Sequence, residues 1–174
     1  SKTHIQRIDY SNDSAAASPK GNFAVQKGMT AGAGNNDYGW HTGGIYGLPN
    51  PRLVYSTVAR IDYSNDTSAP APGARTWNRM VGASGASNSN YGYLFGGYSN
   101  ATSPLGPYSS IARFDFSSDT SPAPVHSNFT IARDRGAAVG NQTHAYYGGG
   151  ADTPAVYSTV DRYDYANDTA SATP

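Results

Sequence analysis

Hydrophobic and polar positions alternate from Ala59 to Tyr63 in the segment Ser56-Thr57-Val58-Ala59-Arg60-Ile61-Asp62-Tyr63. As an extended strand, this segment puts Ala59, Ile61 and Tyr63 on one face and Val58, Arg60 and Asp62 on the other. The following Ser64-Asn65-Asp66 is turn chemistry, because Asn and Asp bond to their own backbone and tolerate unusual dihedrals. Tyr91-Gly92-Tyr93-Leu94-Phe95 predicts a second strand, ending at a Gly pair. Ala137-Ala138-Val139 and Tyr146-Tyr147 predict a hairpin around the turn-like Gly140-Asn141-Gln142-Thr143. A fourth, less regular strand is expected near Thr76-Trp77-Asn78 or in the Pro-rich stretch before it.

The same pattern recurs. Arg7-Ile8-Asp9-Tyr10-Ser11-Asn12-Asp13 returns as heptads beginning at Arg60, Arg113 and Arg162, at intervals of 53, 53 and 49. Gly43-Gly44, Gly96-Gly97 and Gly149-Gly150 form a second column, and Asn35, Asn88 and Asn141 a third. The shortening in the last interval falls between Gly150 and Arg162, where one loop is trimmed, as repeat arrays tolerate. Residues 1–174 therefore read as one repeat array, with units at approximately 7–59, 60–112 and 113–161 and a partial unit at 162–174.

A period near 50 residues with about four strands is that of a propeller blade. The wording agrees: Arg135-Gly136-Ala137-Ala138-Val139, then Tyr146-Tyr147-Gly148-Gly149-Gly150, then Val160-Asp161-Arg162-Tyr163-Asp164-Tyr165. It resembles the kelch repeat, and it is similar in detail to kelch-like repeats of marine bacteriophage virion and tail proteins. The resemblance implies an all-β array of about three four-stranded blades. The Trp that kelch repeats place after the Tyr-Asp turn is replaced here by Ser, Ala and Pro.

Four Arg-x-Asp strands but three Gly-pair strands make an incomplete ring, since propellers have four to eight blades. The expected remedy is further sequence or oligomerisation, and a β-solenoid is the non-propeller alternative. Ser1 is not an initiator Met, and Thr169–Pro174 stops inside a motif, which favours a longer array.

Composition reinforces the β reading. The chain holds 20 Gly, 11 Pro and 14 Tyr, and all 12 acidic residues are Asp. Net charge is zero with no basic run, which argues against nucleic acid as a partner. No apolar stretch reaches membrane-span length. Without Cys there is no disulfide, thiolate metal site or cysteine nucleophile.

Candidate chemistry is sparse. Arg7, Asp9, Arg60, Asp62, Arg113, Asp115, Arg162 and Asp164 recur in every unit, so they read as structural pairs within a strand face or to the next blade. Asp66, Asp119 and Asp168 lack the spacing of a calcium loop. His4, His41, His126 and His144 share no offset, so no metal site is expected. No catalytic residue and no cofactor is expected. Of the aromatics Trp40, Tyr46, Trp77, Tyr98 and Tyr108, the loop residues Tyr46 and Tyr98 just after the Gly pairs are the binding candidates. Sequons stand at Asn12, Asn65, Asn100, Asn128, Asn141 and Asn167. The expected function is a non-catalytic structural or adhesion protein, virion- or tail-associated or extracellular. Its partners would be other virion or homologous subunits, remaining blades, or a host-surface glycan or protein. A secreted lectin-like propeller is the alternative.

Overall fold

A computed structural model describes residues 4–12, 14–23, 25–47, 53–76, 78–99, 106–118 and 122–174. Trp77, Asn100 and Asp119 lie outside them, and of 67–75 the backbone alone is described. The fold is all-β. The first sheet runs Ala31–Gly34, Tyr38–Thr42, Thr57–Asp62 and Thr67–Arg75 as consecutive antiparallel neighbours. The second repeats this with Ser84–Ser87, Tyr91–Phe95, Ser110–Asp115 and Val125–Asn128. The third has Ala137–Gly140, His144–Gly148 and Val160–Asp164, with Thr173 bridged to Arg162 where a fourth strand would begin. A hairpin of His4–Arg7 and Ser18–Asn22 precedes them, and its heptad marks it as third and fourth strands of the same plan.

The fourth strand of the first sheet is thus the Pro-rich stretch itself. It is an edge strand, where missing amide donors cost least. A sheet takes its first two strands from one sequence unit and its third and fourth from the next. The trimmed loop is a short hairpin, Ala151–Asp152 with Ala155–Val156, in place of a longer connection after Tyr98–Ser99.

Register repeats with the sequence. Trp40 faces Arg60 across the strands, Tyr93 faces Arg113, and Tyr146 faces Arg162. The sheets meet along their first strands, where Ser87 Oγ donates to Gly34 O at 2.6 Å and Ala138 N donates to Ser84 Oγ at 2.8 Å. A Cβ on Gly85 would lie 2.0 Å from Gly32 O, so that close approach admits only glycine.

Two apolar layers fill the spaces between sheets, and they use matching columns. Between the first and second sheets, Trp40 stacks on Phe116 at 4.2 Å and meets Phe114 edge-on at 6.0 Å. Between the second and third, Tyr93 stacks on Tyr165 at 4.4 Å and meets Tyr163 edge-on at 5.5 Å. Each such ring pair contributes about 0.5–1.5 kcal/mol beyond its area burial. The alternation read from the sequence sorts these residues: Val58 and Ile111 face the following sheet, while Ala112 and Phe114 face the preceding one.

The Gly pairs join the layers. All six glycines have positive φ, between 63° and 99°. A Cβ on Gly43 would meet Met80 O at 2.6 Å, and one on Gly96 would meet Arg133 O at 2.4 Å. At Gly43 and Gly96 both backbone conformation and the approach of the next unit therefore require glycine.

Candidate functional site

The repeated polar groups are committed to the scaffold. Asp9 Oδ1 accepts from Ser11 N at 2.9 Å and Ser11 Oγ at 2.6 Å. Asp62 does the same with Ser64, and Asp115 with Ser117, while Asp164 accepts from Ala166 N. The hydroxyl bond and then the amide bond hold the Asp9, Asp62 and Asp115 carboxyls below the ordinary aspartate range. These carboxylates close turns; they do not pair with the arginine two residues earlier.

Arg7 and Arg113 reach instead to the next unit. Arg7 Nη1 lies 2.8 Å from Asp66 Oδ2, shared with Lys20 Nζ at 3.3 Å, and Arg113 Nη1 pairs with Asp168. Thus the last Asp of one heptad receives the Arg of the preceding heptad, and the carboxylates of Asp66 and Asp168 face cations of the protein itself. Arg60 and Arg113 also lie over the Tyr38 and Tyr91 rings, at 4.5 and 4.4 Å. The Asn column closes the turns between first and second strands: Asn35, Asn88 and Asn141 each accept from amides two and three residues on. Among the described residues no group of three or more His, Cys, Asp or Glu side chains could hold a metal ion. No helix among them is long and apolar enough to cross a membrane.

Residues that do not repeat converge elsewhere. Where the three sheets meet at the Gly-pair end, a pit of about 520 Å³ opens among their loops. Met29, Ile45, Val81, Tyr98 and Pro107 form an apolar wall, and Asp134, Arg135, Asp152 and Thr153 a polar one. Repeat columns build it: the segment before each first strand bridges the hairpin after the Gly pair, as Gly28 to Ile45, Val81 to Tyr98 and Asp134 to Ala151. Arg135 Nε lies 3.0 Å from Asp134 Oδ2, and its Nη2 donates to Thr153 Oγ1 at 3.3 Å. The Arg135 side chain remains largely exposed, so its guanidinium can turn to a ligand.

Met29, Gly82 and Arg135 occupy one column and all have positive φ, 55°, 68° and 58°. Glycine adopts that conformation freely, whereas Met and Arg hold it at a cost of about 1 kcal/mol or more. Side chains are thus kept at the pit rim where glycine would suit the backbone better.

Of the two tyrosines singled out by position, Tyr98 lines the pit and Tyr46 is exposed outside it. Trp40 is core, and Tyr108 is buried with its hydroxyl accepting from Asn78 Nδ2 at 2.8 Å. The opposite end of the first strands carries a smaller polar depression of about 240 Å³ around Asn36, Ser89 and Gln142.

Comparison with protein-family models and with curated protein sequences gives no match to this chain.

One unit carries a buried pair that pattern reading passed over. Arg133 and Asp161 are both fully buried, Nη2 to Oδ2 at 2.6 Å. Arg133 Nη2 also donates to Tyr147 O at 3.1 Å, and Thr130 Oγ1 donates to Asp161 Oδ1 at 2.8 Å. Arg133 Nε and Nη1 have no hydrogen-bond partner among the described residues and lie among the Phe129 and Tyr147 rings, 4.9 and 4.8 Å from the guanidinium carbon. The signal was in the columns, where Met80 and Ala112 occupy these places in the second unit. In the first unit the same column holds Lys27, whose Nζ donates to Thr57 O at 3.2 Å and whose pKa burial pushes down to about 8. Burial, and then the charge of Lys27, lowers the pKa of neighbouring His41.

Proposed function

We propose that the chain is a non-catalytic adhesion or assembly module whose sheets are blades of a kelch-like propeller, borne on a virion, a tail or another extracellular structure. The observation that carries this reading is the pit. It gathers non-repeated side chains from the loops of successive units, while the repeated polar groups are spent on turns and inter-unit pairs. An apolar wall with Tyr98 faces an Arg–Asp–Thr wall, a combination that suits a saccharide: ring C–H faces pack on the first, and hydroxyls bond to the second. The repeat wording favours a phage-like particle presenting this pit to a host surface. A secreted lectin-like propeller would use the same pit in a different setting.

The test is retention of the purified chain on host envelope material and on virion parts. Retention on either, reduced at least tenfold by Tyr98→Ala, is expected. Failure to bind both would refute the proposal, as would binding that Tyr98→Ala leaves unchanged.

A further inference from the structure

The first heptad strand and the third sheet carry the two halves of an interface that the chain already forms twice. Inside the chain, the ring at the third position of each second strand stacks on the heptad of the following sheet: Trp40 on Phe116, and Tyr93 on Tyr165. Tyr146 is the next member of that ring column, and it is 39% exposed. Around it, Val139 and Val160 are 67% and 52% exposed, although their column mates Ala86 and Ile111 are buried in the layer between sheets. Gly149 repeats the pattern. Gly43 and Gly96 touch the backbone of a following unit, whereas the nearest atom to a Cβ on Gly149 is Tyr157 O at 3.9 Å.

The other half stands at the beginning. Ile8 and Tyr10 occupy the columns of Phe114 and Phe116, and of Tyr163 and Tyr165, which cover the preceding sheet at both internal interfaces. They are 56% and 93% exposed. An apolar face and a complementary apolar edge are therefore displayed on one molecule, at positions that match the two sides of the internal interfaces.

We propose that the third sheet, through Tyr146, Val139 and Val160, docks the N-terminal heptad strand of a second copy of this chain, with Tyr10 and Ile8 covering Tyr146. The contact is heterologous: the surface used on one copy differs from that on its partner. It propagates into a ring if the rotation closes and into a filament if it does not. Continuity with the two internal interfaces selects this occupant, because a second copy brings the residue columns that already interlock there. The inference is independent of the ligand reading, since neither Tyr10 nor Tyr146 lines the pit.

Sedimentation velocity of the 174-residue chain across a concentration series tests it. Mass is expected to rise with concentration, and Tyr10→Asp or Tyr146→Asp each to weaken association at least tenfold. Mixing the two variants should restore a 1:1 dimer that grows no further, since each retains one intact half. That complementation also shows that both variants fold. A monomer at every concentration would overturn the proposal and assign the face to another occupant, including a following repeat of the same polypeptide. Association that survives either substitution, or a mixture that stays monomeric, would overturn it as well.

Discussion

Removing the Asp161 carboxylate alone strands a guanidinium in a site with no solvent access, because the Arg133 side chain is 0% exposed and two of its nitrogens already lack hydrogen-bond partners among the described residues. Breaking a buried pair by deleting one member costs about 3–5 kcal/mol. For a chain of this length each kcal/mol shifts Tm by about 2–4 °C. Asp161→Ala should therefore lower Tm by roughly 6–20 °C. The second unit supplies the repaired version, with Met80 and Ala112 buried in the matching columns. The double variant Arg133→Met with Asp161→Ala should be within about 1 kcal/mol of the parent or more stable, since apolar replacement of a buried pair is commonly neutral or stabilising. Thr130 loses an acceptor but is exposed, and water replaces it. Thermal and urea denaturation followed by circular dichroism gives the full double-mutant cycle. A cost below about 1 kcal/mol for Asp161→Ala, or a double variant that loses the sum of the two single losses, would contradict a buried, mutually dependent pair.

Two further outcomes follow from the titrating groups. The turn carboxylates of Asp62 and Asp115 titrate lower in the folded chain than their ordinary value of 3.8. Their stabilisation is therefore complete above that value and is lost as pH falls through the folded values. Carbon-detected NMR titration should place the Asp62 midpoint below 3.8, and Ser64→Ala should move it upward; an unmoved midpoint would deny the hydroxyl its role. Lys27 titrates at about 8 when folded and at 10.5 when unfolded. Between these values the unfolded state holds the extra proton, so stability rises with pH across that window. Lys27→Met, which copies Met80, should raise stability at neutral pH and flatten that rise; a parallel pH profile for parent and variant would contradict this.

Much of the fold was legible because the repeat multiplies weak local signals. Alternation around Arg60 gave a strand and its faces, and the Gly pairs gave strand ends where the backbone turns to positive φ. The partners of the arginines were not legible. Arg7 and Arg113 reach the seventh residue of the next heptad, and that distance depends on the packing of sheets. The pit was legible only at Tyr98. Met29 carries no pattern of its own, and Arg135 stood only as the residue that opens the repeat wording; their position becomes informative once Gly82 shows what that column's backbone prefers. Arg133 and Asp161 were hidden for a related reason, because charged residues in apolar columns look like surface positions until a covering sheet is in place.

The division between repeated scaffold and non-repeated pit is tested most directly by a glycan array probed with the parent chain, Arg135→Ala and Arg60→Ala. A defined set of saccharides should be bound by the parent and by Arg60→Ala, and lost with Arg135→Ala. Silence of the parent on every glycan, or equal loss in both variants, would contradict it.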